Sequence, residues 1–98
     1  MNITIYNSAK AELNKLLQQE TNKKYIRVFI RTISFWCDAR VHITLDELQD
    51  NDELFEVDGY KLILSKRLAS QINNLYISFG GLLSPNEFSV DCDFNEYY

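Results

Sequence analysis

The chain holds one proline, three glycines, two cysteines and one histidine in 98 residues, and each shortage excludes something. A single histidine, no phosphate-binding glycine loop, no nucleophile motif and no carboxylate pair at a recognisable spacing leave nothing to build acid–base or covalent catalysis on. An enzyme is not expected. Cys37 and Cys92 are too few for a self-contained four-thiolate site. A metal or cluster built on them needs histidine, carboxylate, an outside ligand or a second subunit. In a reducing compartment they are not expected to form a disulfide. No apolar run approaches the ~18 residues of a membrane span. The only basic cluster is the pair Lys23-Lys24, and the net charge is −4, so the footprint of a nucleic-acid partner is absent. Met1-Asn2-Ile3-Thr4-Ile5-Tyr6 lacks the basic start and apolar run of a signal peptide. The expected compartment is the cytoplasm, with neither membrane nor nucleic acid as partner.

What is present is the material of a globular core. Apolar residues make up 46% of the chain, with six Phe and six Tyr, far from a disordered composition. A chain of this length buries about 65% of its unfolded surface. One domain over 1–98 is expected, with 93–98 a polar, aromatic tail that frays.

Two apolar runs flank Asp58-Gly59 within Asp52-Glu53-Leu54-Phe55-Glu56-Val57-Asp58-Gly59-Tyr60-Lys61-Leu62-Ile63-Leu64-Ser65. A type I′ turn needs positive φ at both central residues, and Asp-Gly supplies it, so this stretch reads as a hairpin. Its second arm, with Leu62 and Leu64 against Lys61 and Ile63, is buried on one face and partly on the other.

Ile3 and Ile5 mark a first short strand. Asn7 or Ser8 then caps a helix whose Ala9, Leu13, Leu16 and Leu17 form one apolar stripe. Tyr25 to Ile33 is a β-branched and aromatic strand, with Ile26, Val28 and Ile30 on one face and Arg27, Phe29 and Arg31 on the other. A strand follows with Val41, Ile43 and Leu45 opposite His42, Thr44 and Asp46, then an acidic loop over 47–52. Lys66 to Asn74 reads as a short helix capped by Ser65, Leu75 to Phe79 as a strand, and Phe88, Val90 and Cys92 as the last strand. This order argues for an α+β fold with mainly antiparallel and mixed sheets, one longer N-terminal helix and one short helix.

The order of elements resembles the HesB/IscA-like domain of A-type iron–sulfur carrier proteins. Ile3-Thr4-Ile5 and Ala9 to Leu17 resemble that family's opening strand and helix. Tyr25-Ile26-Arg27-Val28-Phe29-Ile30-Arg31 resembles its "LRV-x-V" strand, and Asp52 to Ser65 its "D-x-v-F-e-v-d-G-v-k-v-l-v-d" hairpin. Leu75-Tyr76-Ile77-Ser78-Phe79 is similar to "l-x-i-D-y" and Phe88-Ser89-Val90-Asp91 to "F-x-i-D-N-P". The resemblance implies a flattened sandwich of sheets and a role in cluster biogenesis. It implies iron or a [2Fe–2S] cluster as the group bound, with homo-oligomers and iron–sulfur assembly proteins as partners.

The ligand positions depart from that pattern. The family's first cysteine lies in a "G-G-C-S-G" loop, where this chain has Ile33-Ser34-Phe35-Trp36-Cys37-Asp38-Ala39. The cysteine column falls on Trp36 or, with a one-residue slip, on Cys37. The family's Cys-Gly-Cys pair lies past "D-N-P" and is not matched within these 98 residues, and Cys92 stands at the asparagine of "D-N-P". Cys37 is the candidate cluster ligand. Cys37, His42 and Asp38 or Asp46 form a conceivable divalent-metal set, and Cys92 is a further candidate metal ligand. The plain alternatives are a loop thiol, a solvent-facing strand histidine and a core-facing strand cysteine. Phe35 and Trp36 with Arg31 are candidates for an interface, because Trp and Arg dominate binding hot spots. That leaves a second function class, a protein-interaction module and possible homodimer on the same fold that binds no cluster.

Overall fold

The computed structural model describes residues 1–19, 22–31, 40–80 and 85–94. Its elements are β1 (Asn2–Ile5), α1 (Asn7–Gln19), β2 (Tyr25–Arg31), β3 (Arg40–Asp46), β4 (Asp52–Val57), β5 (Tyr60–Ser65), α2 (Lys66–Ala69), β6 (Ile72–Phe79) and β7 (Phe88–Phe94). They form a three-stranded sheet in the order β1-β6-β7 and a four-stranded sheet in the order β3-β2-β5-β4. Both sheets are mixed, since β1 runs parallel to β6 and β2 parallel to β5 while the other pairs are antiparallel. The whole is flattened, with principal extents of 37 × 36 × 24 Å. This is the α+β architecture expected from the sequence.

One core joins the sheets. Ile5, Leu75 and Ile77 reach it from the first, Ile26, Val28, Leu62 and Leu64 from the second, and Ala9 and Leu13 from α1. Period-2 alternation explains the choice of residues in the strands, and i, i+4 spacing explains it in the helix. Ile63, on the opposite face of β5, is also fully buried. The second hairpin arm is therefore covered on both faces at its centre.

The hairpin forms as the turn chemistry demands. Asp58 has φ 53° and Gly59 φ 86°, and the arms pair from Val57↔Tyr60 out to Asp52↔Ser65. Its tip is tied to α1: the Tyr60 hydroxyl donates to Asn14 Oδ1 at 2.7 Å, and Lys10 pairs with Asp58 at 3.1 Å. No atom lies within 4 Å of where a Cβ on Gly59 would stand, so a substitution there meets a backbone cost and no clash. Gly59→Ala is expected to destabilise by about 1 kcal/mol after the unfolded-state gain is subtracted. Urea unfolding reads this, and Gly59→Asn, which tolerates the left-handed region better, should lose less.

Three local expectations are revised. Ser8 does not spend its hydroxyl on a helix cap. Its Oγ accepts from the Phe79 N–H at 3.1 Å, fastening the start of α1 to the end of β6. The short helix expected over 66–74 stops at Ala69, although Ser65 does cap it, Oγ accepting from Leu68 N–H at 3.2 Å. Ile72 to Asn74 belongs to β6, where Asn74 pairs with Asn2 on one side and Asp93 on the other. Finally, β7 continues through Asp93 to Phe94, two residues into the segment read as a tail.

Candidate functional site

The segment linking β2 to β3 holds Phe35, Trp36, Cys37 and Asp38, and these lie outside the described residues. Arg31 closes β2 opposite Arg40, so the segment is framed by the ends of two paired strands. What the structure does describe is the strand pair on either side of it in sequence.

Arg27 is the organising charge at the other end of that strand pair, where β3 leaves for β4. It sits on the face of β2 away from the core, with its side chain 16% exposed, and faces Asp52, only 4% exposed. Nη1 and Nη2 donate to the two Asp52 carboxylate oxygens at 2.8 and 2.6 Å, the planar fork that arginine offers a carboxylate. Nε donates to Asp46 Oδ2 and Nη2 also reaches the Glu47 carbonyl. The carboxylates have further duties. Asp46 Oδ1 accepts from the Glu47 N–H and Asp52 Oδ2 from the Gln49 N–H, each at 2.8 Å. The β3–β4 connection is therefore clamped at both ends to β2.

Electrostatics follow the geometry. The Arg27 hydrogen bond holds the Asp52 carboxyl below its usual range, against the opposing effect of burial. The Glu47 N–H, then Arg27, does the same for Asp46. Arg27 in turn is raised above its ordinary value, chiefly by Asp52. Asp52, at the end of the acidic loop, is thus a structural anion with a nearly buried side chain. Asp46 was a candidate carboxylate for a metal set with Cys37 and His42, and both of its oxygens are engaged here.

His42 is not solvent-facing. Val41 and Ile43 pack against the core, so alternation turns His42 to the outer face of the four-stranded sheet. There its ring lies 5.9 Å from that of Phe29 at 30°, and its Nε2 is buried without a hydrogen-bond partner among the described residues. Cys92 packs on the core side, paired with Leu75. Burial, then Asp93 and Asp91, push its thiol upward, which disfavours the thiolate that metals and clusters bind. His42 and Cys92 thus address different faces. Among the described residues no three His, Cys, Asp or Glu side chains converge on a common point.

No family model matches the sequence and no curated protein matches it. Solved structures do match in shape. Escherichia coli SufA, involved in biosynthesis of iron–sulfur clusters, superposes with a TM-score of 0.73 at 18% identity, covering 92% of this chain and 79% of SufA. IscA with the [2Fe–2S] cluster superposes at 0.72 and 18% identity, covering 92% of this chain and 84% of IscA. The chain has the HesB/IscA-like fold. At 18% identity this likeness is one of backbone, carried by the alternating strands, the hairpin and the docked N-terminal helix. Within that fold, the HesB/IscA-like frame of this chain carries Arg27 and its two carboxylates as the charged centre of the described surface.

Proposed function

We propose that this chain acts in iron–sulfur cluster biogenesis as a carrier relative with a reduced ligand set. The observation that carries the reading is the fold itself, shared over 92% of the chain with an IscA structure holding a [2Fe–2S] cluster. Cys37 is the thiol in the segment between β2 and β3, where the resembling family places its first ligand. One thiolate per chain cannot hold a cluster, which normally takes four thiolates or close substitutes. The cargo, iron or a [2Fe–2S] unit, is then shared between copies, each contributing Cys37. Cys92 is disfavoured by its raised, core-side thiol. Asp46 is held by Arg27. Among the described residues the His42 Nε2 is the buried side-chain nitrogen without a hydrogen-bond partner, and it is the only further donor this reading retains. In this reading the chain is a cytoplasmic, non-enzymatic homo-oligomer whose partners are other iron–sulfur assembly proteins.

Anaerobic reconstitution with iron and sulfide tests it. Cys37→Ser is expected to abolish visible absorbance and bound iron, while Cys92→Ser leaves both in place. Equal loss in the two variants would contradict the assignment.

A second reading is favoured by the residues at 35 and 36. Phe35-Trp36 puts bulk where glycines would let a backbone approach a cluster. On this reading the fold is a protein-interaction module that binds no metal, with Phe35, Trp36 and Arg31 forming the contact. The two readings separate on iron content, since only the first predicts any.

A further inference from the structure

β2 outruns the strand beside it. Its pairing with β5 covers Ile26↔Leu62 and Arg27↔Ile63 and then stops, whereas its pairing with β3 continues to Arg31↔Arg40. Beyond Arg27 one edge of β2 has no strand partner among the described residues. α2 stands opposite instead, because β5 turns into it at Ser65. Between them lies a cleft of about 410 Å³ with Val28, Phe29 and Ile30 on one wall and Ser65, Arg67 and Gln71 on the other.

The chemistry of this cleft is specific. Peptide groups along an unpaired strand edge are a template for a further strand. Ile30 is 37% exposed there. On the facing wall the side chains of Arg67 and Gln71 make no hydrogen bond or ion pair among the described residues. Arg27 is already matched by Asp46 and Asp52, so among the described lining residues Arg67 is the cation left to a ligand. No Asp or Glu is among the cleft's described lining residues, although the chain as a whole carries a charge of −4.

We propose that this cleft takes an extended, carboxylate-bearing segment of a partner protein. The segment adds as a strand to β2 at Val28–Ile30 and sets a carboxylate on Arg67. Backbone pairing supplies the docking and Arg67 the selectivity for acidic sequences. The proposal requires no iron and stands apart from the cluster reading.

The probe is a fluorescein-labelled short peptide of alternating glutamate and valine, followed by anisotropy on the full chain. Two control peptides accompany it, one with lysine for glutamate and one N-methylated at alternate backbone nitrogens. The glutamate peptide is expected to bind saturably, and both controls about tenfold or more weakly. Arg67→Glu should weaken the glutamate peptide about tenfold and favour the lysine one, with Arg67→Gln intermediate. Arg67 is exposed, so both variants are expected to fold, which circular dichroism checks. Absence of saturable binding overturns the proposal. So does equal binding of the N-methylated peptide, which means charge adhesion alone, or indifference to Arg67→Glu. Self-association abolished by Arg67→Glu, with no peptide bound, assigns the cleft to a second copy and also overturns it.

Discussion

Leu62→Ala is expected to destabilise the fold by about 3–4 kcal/mol, read as the loss in unfolding free energy in urea. Leu62 is fully buried on a strand with neighbours on both sides, paired to Ile26 of β2 and Phe55 of β4. Deleting its side chain removes transfer free energy and leaves a cavity that hydrogen-bonded neighbours on either side keep from collapsing. Against the ~5–15 kcal/mol that holds an ordinary domain folded, this single change takes a large share. Leu54→Ala, on the edge strand and 42% exposed, should cost under ~1 kcal/mol. Similar losses in the two variants would mean that the core is not centred on β5.

Arg27→Met is expected to cost about 2–3 kcal/mol near neutral pH, because it preserves volume while stranding a nearly buried carboxylate. Most of that deficit belongs to Asp52, whose side chain is 4% exposed; Asp46, at 32%, is screened by solvent and contributes less. The deficit depends on pH. Both carboxyls are lowered in the folded chain, so the stability they confer is fully present above the ordinary carboxylate pKa of about 4. It is lost as pH falls through their folded values. Arg27 stays protonated throughout this range and adds no slope. The gap between wild type and Arg27→Met should therefore be widest near pH ~7 and shrink below pH ~4. A gap of constant size would reduce Arg27 to a packing residue.

These predictions bear on what a sequence exposes to inspection. The hairpin was legible because its determinants are local: Asp58 and Gly59 dictate the turn, the turn dictates the register, and the register puts Leu62 and Leu64 inside. The same holds for α1, where one stripe of apolar residues suffices. The extent of α2 was not legible. Leu68 and Ile72 sit at helical spacing, yet Ile72 is drawn into β6 by pairing with β1 and β7, partners remote in sequence. The Arg27 clamp was missed for the same reason. Its carboxylates lie 19 and 25 residues away, and each read alone looks like a surface charge. His42 was placed on the correct face of its strand, but its cover, Phe29, comes from β2.

For the candidate site the division is sharper. The resemblance points to the β2–β3 segment, and the SufA and IscA structures share the fold over 92% of this chain. The described surroundings are now concrete: β2 and β3 pair up to Arg31↔Arg40, the Arg27 clamp holds the opposite end of that pair, and Cys92 packs on the core side. A thiolate ligand needs an accessible, readily ionised sulfur, and Cys92 is half-buried with its thiol pushed up by burial. Cys37 remains the proposed ligand.

The central claim is that Cys37 makes this HesB/IscA-like chain an iron–sulfur carrier relative, and anaerobic reconstitution of the wild-type protein tests it most directly. The expected result is a coloured protein with bound iron and sulfide, visible absorbance, and an oligomer that shares the cargo between copies. A colourless, iron-free protein that keeps its folded state through the same treatment would contradict it.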